Sequence, residues 1–175
     1  MKDFIKDVVI AVLVAVVVIQ FIKPVIVKES SMENSFIEKD YLIVSKQSYN
    51  YGDVERGDVI VFHSSLTDED GKEKLLIKRV IGLPGENVQV TDGAVYIDGV
   101  MLEEDYTKDG YTPGDVNVTV PEDEYFCMGD NRAVSIDSRS SSVGFVEKHN
   151  IMGKVVLRAL PIKKFGLIES PDYNI

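Results

Sequence analysis

The chain has 175 residues, 45% hydrophobic and 27% charged, which suits one folded domain and excludes a disordered segment. Its net charge of -10 repels phosphate backbones and argues against nucleic acid as a partner. The charge is uneven, because residues 1–28 hold four Lys against two Asp and leave -12 on the remainder.

Residues 8–22, VVIAVLVAVVVIQFI, are apolar at every position except Gln20. Such a run is too long for an ordinary strand, and in a bilayer only a helix satisfies its own backbone groups. Phe4 to Ile22 predicts a helix of about 28 Å at roughly 1.5 Å per residue, enough to span the hydrocarbon. No small-x-small cleavage site follows promptly, since Lys23-Pro24-Val25-Ile26 comes next, so an uncleaved anchor is expected over a removable leader. The flanking positives balance on the two sides and leave the orientation open.

After the anchor, short strand-like runs alternate with turn signals. Tyr41–Ser45 is followed, past Arg56-Gly57, by Asp58–Phe62. A polar loop at Thr67–Glu73 leads into Leu75–Ile81. Val88–Val90, Asp92-Gly93, Val95–Ile97 and Asp98-Gly99 read as hairpins, because Asp-Gly between short apolar runs favours tight primed turns. Residues 103–117 are acidic and turn-rich and read as a loop excursion. Val118–Val120, Tyr125–Met128 and Lys154–Arg158 complete the strands. The prediction is a mainly β fold behind a single N-terminal transmembrane helix. Residues 1–28 form the anchor and juxtamembrane segment, and 29–175 a β-rich domain with a small inserted lobe at about 87–124.

The chemistry centres on Lys78, which sits inside the apolar run Leu75-Leu76-Ile77-Lys78-Arg79-Val80-Ile81. Burial disfavours an ammonium and lowers its pKa toward neutrality, where the amine can accept a proton. His63 and His149 are isolated and lack metal-ligand spacing, and no Ser-His-Asp arrangement offers itself. A serine nucleophile with a lysine base is the arrangement left to test. Cys127 is the only cysteine, so no intrachain disulfide can form, and its apolar neighbours place it in a strand core.

Three separated segments carry a resemblance. They are Ser30-Ser31-Met32-Glu33-Asn34-Ser35, then Lys78-Arg79-Val80-Ile81-Gly82-Leu83-Pro84-Gly85, and the block Gly129-Asp130-Asn131-Arg132-Ala133-Val134-Ser135-Ile136-Asp137-Ser138-Arg139. In that order behind an anchor, they resemble the type I signal peptidases of bacteria, membrane-anchored Ser-Lys endopeptidases. The resemblance implies Ser31 as nucleophile and Lys78 as general base. It implies that Ser135 orients the lysine amine, and that Asp130, Asp137 and Arg139 brace the site. Shallow pockets near Met32, Leu76 and Ile77 would read the substrate. It further implies a β-rich peptidase domain on the outer side of the cell membrane, acting on exported preproteins with small residues at the first and third positions before the cut. Membrane lipid is the other implied partner, and no cofactor or metal is implied.

The sequence departs from the family pattern at two positions. Asn34 stands where the family has proline, which predicts a looser turn after the nucleophile. Glu29 stands where it often has glycine or serine, beside the expected oxyanion site. These two residues keep open an alternative, a catalytically inactive membrane-tethered β-domain that binds protein partners.

Overall fold

The computed structural model describes residues 2–68 and 70–175, without the side chains at positions 2, 3, 14, 15, 17 and 18. Part of the expected anchor, and Glu69 of the polar loop, therefore lie outside the described residues. The first element is a helix, α1, over Lys2–Phe21. Its described apolar side chains, among them Phe4, Ile5, Val9, Val12, Leu13 and Ile19, are exposed. Counted over the described residues, no helix is long and apolar enough to cross a membrane.

The chain beyond α1 is mainly β. Strands β1 (Ile22–Ile26), β2 (Tyr41–Ser45), β3 (Val59–Thr67) and β4 (Glu73–Gly82) come first. They are followed by β5 (Asn87–Thr91), β6 (Ala94–Ile97), β7 (Val100–Met101) and β8 (Val116–Thr119). The last are β9 (Glu124–Met128), β10 (Val146–Glu147), β11 (Ile151–Leu160) and β12 (Gly166–Leu167). The larger sheet runs β1-β2-β11-β3-β4-β9-β10, with β12 on β11, and the pairings within it are antiparallel. The smaller runs β7-β6-β5-β8. Its hairpins turn at Asp92-Gly93 and Asp98-Gly99 with positive φ at all four residues, the geometry that selects Asp-Gly.

Four strands were not expected: β1, and the short β7, β10 and β12. Lys23-Pro24-Val25, read from sequence as juxtamembrane chain, lies in β1. Proline is admitted there because β1 pairs only with β2, so the N–H it lacks is not needed on the open edge. In β3 consecutive residues serve different cores. Val59 and Val61 pack with Met32, Phe36, Leu42, Val44 and Val155, while Ile60 and Phe62 pack with Leu76, Val80, Tyr125 and Cys127. A strand buried on both faces reads as an unbroken apolar run, and period-2 alternation is lost. The third cluster joins the small sheet to the large one through Val88, Val90, Val95 and Ile97 against Ile81, Phe126 and Met128.

Candidate active site

Ser31 lies in a single 3-10 turn, Ser30–Met32. Met32 and Phe36, each 1% exposed, pin this turn and the one after it to the core beneath β2 and β3. Phe36 N–H donates to the Met32 carbonyl at 2.7 Å and closes the second turn. Asn34 sits at φ 103°, which proline cannot adopt, and its Nδ2 donates to the Tyr106 carbonyl at 2.9 Å. A different turn, one that asparagine tolerates, is fastened to the 103–117 segment.

Lys78 is 1% exposed, and its Nζ lies 2.6 Å from Ser31 Oγ. Burial pushes the Lys78 pKa down to about 8; Asp137, Glu29 and Asp130 oppose the shift, and Lys74 assists it. The amine is thus within reach of neutrality under ordinary conditions, and it touches a hydroxyl.

The 129–139 block holds the turn in place. Asn131 N–H donates to the Ser31 carbonyl at 3.0 Å, and Asn131 Nδ2 to the Ser30 carbonyl at 3.1 Å. Gly129 permits this approach, because a Cβ there would lie 2.4 Å from the Ser31 carbonyl oxygen and 2.3 Å from Ser135 Oγ. Asp130 is fully buried and takes a two-pronged bond from Arg79, Nε to Oδ1 at 2.9 Å and Nη2 to Oδ2 at 2.6 Å. Ser35 Oγ adds a third bond to Asp130 Oδ2 at 2.5 Å. Arg79 also stacks on the Tyr106 ring, 4.1 Å from its centroid. Asp137 accepts from Arg139 Nε at 2.9 Å, Arg139 Nη2 at 2.8 Å and Gly129 N–H at 3.0 Å. Burial alone would raise the Asp137 pKa, but the Arg139 guanidinium and these donors hold it below the usual carboxylate range.

Ser135 lies in the same block but makes no side-chain bond to Lys78 among the described residues. Its Oγ is buried and meets no hydrogen-bond geometry among the described residues, although it stands near enough to Asp137 to help hold that carboxyl down. Met32, Leu76 and Ile77 all line a cleft of about 700 Å³ that runs past Ser31 and Lys78. Met32 and Leu76 are also core residues, so they offer the cleft its apolar floor rather than free side chains.

Sequence reasoning missed three residues. Asn131 clamps the Ser30–Met32 turn through its backbone and side chain. Glu104 forms a buried ion pair with Arg132, Oε1 to Nη2 at 2.5 Å, and Tyr106 covers Arg79. Both Glu104 and Tyr106 come from the segment read as an acidic excursion. Their partners lie some 25 or more residues away in sequence, so no local spacing signals them. Cys127 is buried as expected, and burial pushes its thiol pKa up, which makes it inert.

Residues 1–160 match the family described as signal peptidase, peptidase S26. A probable signal peptidase I-2 of Synechocystis sp. is 37% identical over 167 residues, covering 93% of this chain and 75% of that protein. A signal peptidase I of Leptolyngbya laminosa is 40% identical over 151 residues, covering 83% and 72%. A crystal structure of a signal peptidase I from Enterococcus faecalis, 36% identical, covers 59% of this chain and 97% of its own, with a TM-score of 0.49.

Proposed function

Because the chain belongs to the signal peptidase family, peptidase S26, its reaction is the hydrolytic removal of signal peptides from preproteins, and we propose that Ser31 and Lys78 perform it as nucleophile and base. The observation that carries the assignment is the 2.6 Å contact between a buried amine and a serine hydroxyl. Neutral Lys78 accepts the Ser31 proton as Oγ attacks the scissile carbonyl carbon. The resulting ammonium passes that proton to the departing amine, the C–N bond breaks, and an acyl-enzyme remains. Water then loses a proton to the same amine, attacks the ester carbonyl, and restores Ser31. The Ser31 N–H opens a helical turn, where the first N–H groups have no intrahelical acceptor, and it supplies a donor for the oxyanion.

The substrate lies in the cleft as an extended strand. Two edges that line it lack partners among the described residues: β1 pairs only with β2, and β4 from Glu73 to Lys78 pairs only with β3, since β9 joins it from Arg79 onward. Such edges bind a peptide by main-chain hydrogen bonds, with alternate side chains read by pockets. The apolar floor of Met32, Leu76 and Ile77 suits small side chains at the first and third positions before the cut. Ser135, Asp130, Asp137 and Arg139 position the dyad. Residues 1–28 anchor the chain in the cell membrane, and 29–175, with a lobe at about 87–124, form the peptidase domain on the outer side.

An inactive tethered domain has no support. Both features that suggested it are accommodated: Glu29 is ion-paired to Lys74, and Asn34 holds its turn. The test is cleavage, in detergent, of a preprotein with alanine at both recognised positions. The native chain should cut at the expected bond, while Ser31→Ala and Lys78→Ala should lose about 10³-fold or more in rate. Equal cleavage by either variant would remove that residue from the mechanism.

A further inference from the structure

Glu29 lies two residues before Ser31, where an ionised carboxylate would oppose the negative charge that develops on the attacked carbonyl. In the structure it does not stand alone. It is ion-paired with Lys74 of β4, and both residues line the cleft that holds Ser31 and Lys78. Lys74 is four residues before Lys78 on the same strand, about 13 Å along it at roughly 3.3 Å per residue. The pair therefore sets the Glu29 carboxylate against an ammonium on the cleft wall, rather than leaving it uncompensated near Lys78. It adds a second side-chain link, beside the Ser31–Lys78 contact, between the chain after β1 and the open edge of β4.

We propose that Lys74 is a positioning residue for acyl transfer, which holds the Glu29 carboxylate off the oxyanion site and cancels its charge beside Lys78. The inference rests on the Ser31–Lys78 reading above and extends it to a pair that the motif blocks do not include. Two further observations fit it. Both side chains are partly exposed, 34% for Lys74 and 49% for Glu29, so neither is needed to fill the core. The electrostatic balance at Lys78 also splits between them, since Glu29 raises its pKa and Lys74 lowers it. The remaining charged or titratable groups facing that amine are Asp137 and Asp130 from the 129–139 block and Cys127 of β9. None of these would change on substitution at position 74.

The test measures cleavage of a preprotein against pH by the full chain in detergent, with Lys74→Met, Glu29→Gln and the double variant beside the native protein. Lys74→Met should lower kcat about tenfold and move the midpoint of kcat/KM to higher pH. Glu29→Gln should move the midpoint to lower pH. In the double variant kcat should return to within about threefold of native, because the carboxylate that Lys74 restrains is gone. A Lys74→Met variant with native kcat and midpoint would overturn the proposal, and so would a double variant as slow as Lys74→Met. A native chain that fails to cleave would overturn the underlying reading as well, whereas native cleavage with unmoved variants would overturn the role of Lys74 alone.

Discussion

At the scale of single residues, the proposed dyad rests on a buried lysine and a held serine. With a pKa near 8, about a tenth of Lys78 is neutral at pH 7, so the base is present without extreme alkali. The sign follows from the role. A base must be unprotonated, so kcat/KM should rise close to tenfold per pH unit below about 8 and level off above it. A profile flat from pH 6 to 9 would exclude Lys78 as the rate-limiting base. Asn34 offers a second, less obvious expectation. Installing the proline that the family pattern has, Asn34→Pro, forces φ from 103° to about -65° and deletes the bond to the Tyr106 carbonyl. The variant should lose more than about 1 kcal/mol in denaturant unfolding. Asn34→Gly, which keeps the conformation, should lose less, and the reverse order would mean that the turn is not strained by proline.

At the scale of elements, the 129–139 block is an ionic scaffold whose parts were legible to different degrees. The Asp and Arg residues within a few positions of one another are visible in sequence, and the Asp137–Arg139 bond is local enough to be inferred. The distant partners are not. Arg79 bonds Asp130 across 51 positions, and Arg132 reaches Glu104 in a segment whose composition suggests solvent. Short apolar runs named most strands correctly in place, but β1 was missed because proline and lysine mask an edge strand. Side-chain orientation was also out of reach. Ser135 lies in the block that meets Ser31, yet among the described residues its hydroxyl makes no bond to Lys78, a matter of rotamer and packing that spacing does not encode. The scaffold itself can be tested through Asp137. Its pKa lies below the unfolded value, so its stabilisation is full above about pH 4 and fades as acid protonates it in the native state. Asp137→Asn should therefore cost about 3 kcal/mol at pH 7, by leaving the largely buried Arg139 guanidinium without its counter-charge. The gap between variant and native should narrow as the pH falls below 4. A gap that stayed constant with pH would assign the loss to packing instead.

At the scale of the whole molecule, the question is how the proposed anchor is joined to the cleft. The described side chains of α1 present a long exposed apolar surface, with Phe4 71% exposed and Val12 and Leu13 above half. It is this apolar surface that the proposed anchoring would set in lipid, although among the described residues no helix is long and apolar enough to cross a membrane. The helix ends at Phe21 and β1 begins at Ile22 without a linker. Lys46 ties the junction, donating from its backbone N–H to the Phe21 carbonyl at 2.9 Å and from Nζ to the Ile19 carbonyl at 3.0 Å. Residues 23–29, which follow directly, are one wall of the cleft. The anchoring proposed above would hold this wall, and the open peptide edge with it, at the bilayer surface. The full chain in vesicles should accordingly remain with the lipid pellet through alkaline carbonate extraction. A chain starting at Ile22 should move to the supernatant while still cutting a soluble peptide. Release of the full chain by carbonate would demote α1 to a surface contact. Loss of soluble-peptide cleavage in the shortened chain, with its fold intact by circular dichroism, would mean that α1 shapes the cleft wall rather than only placing it.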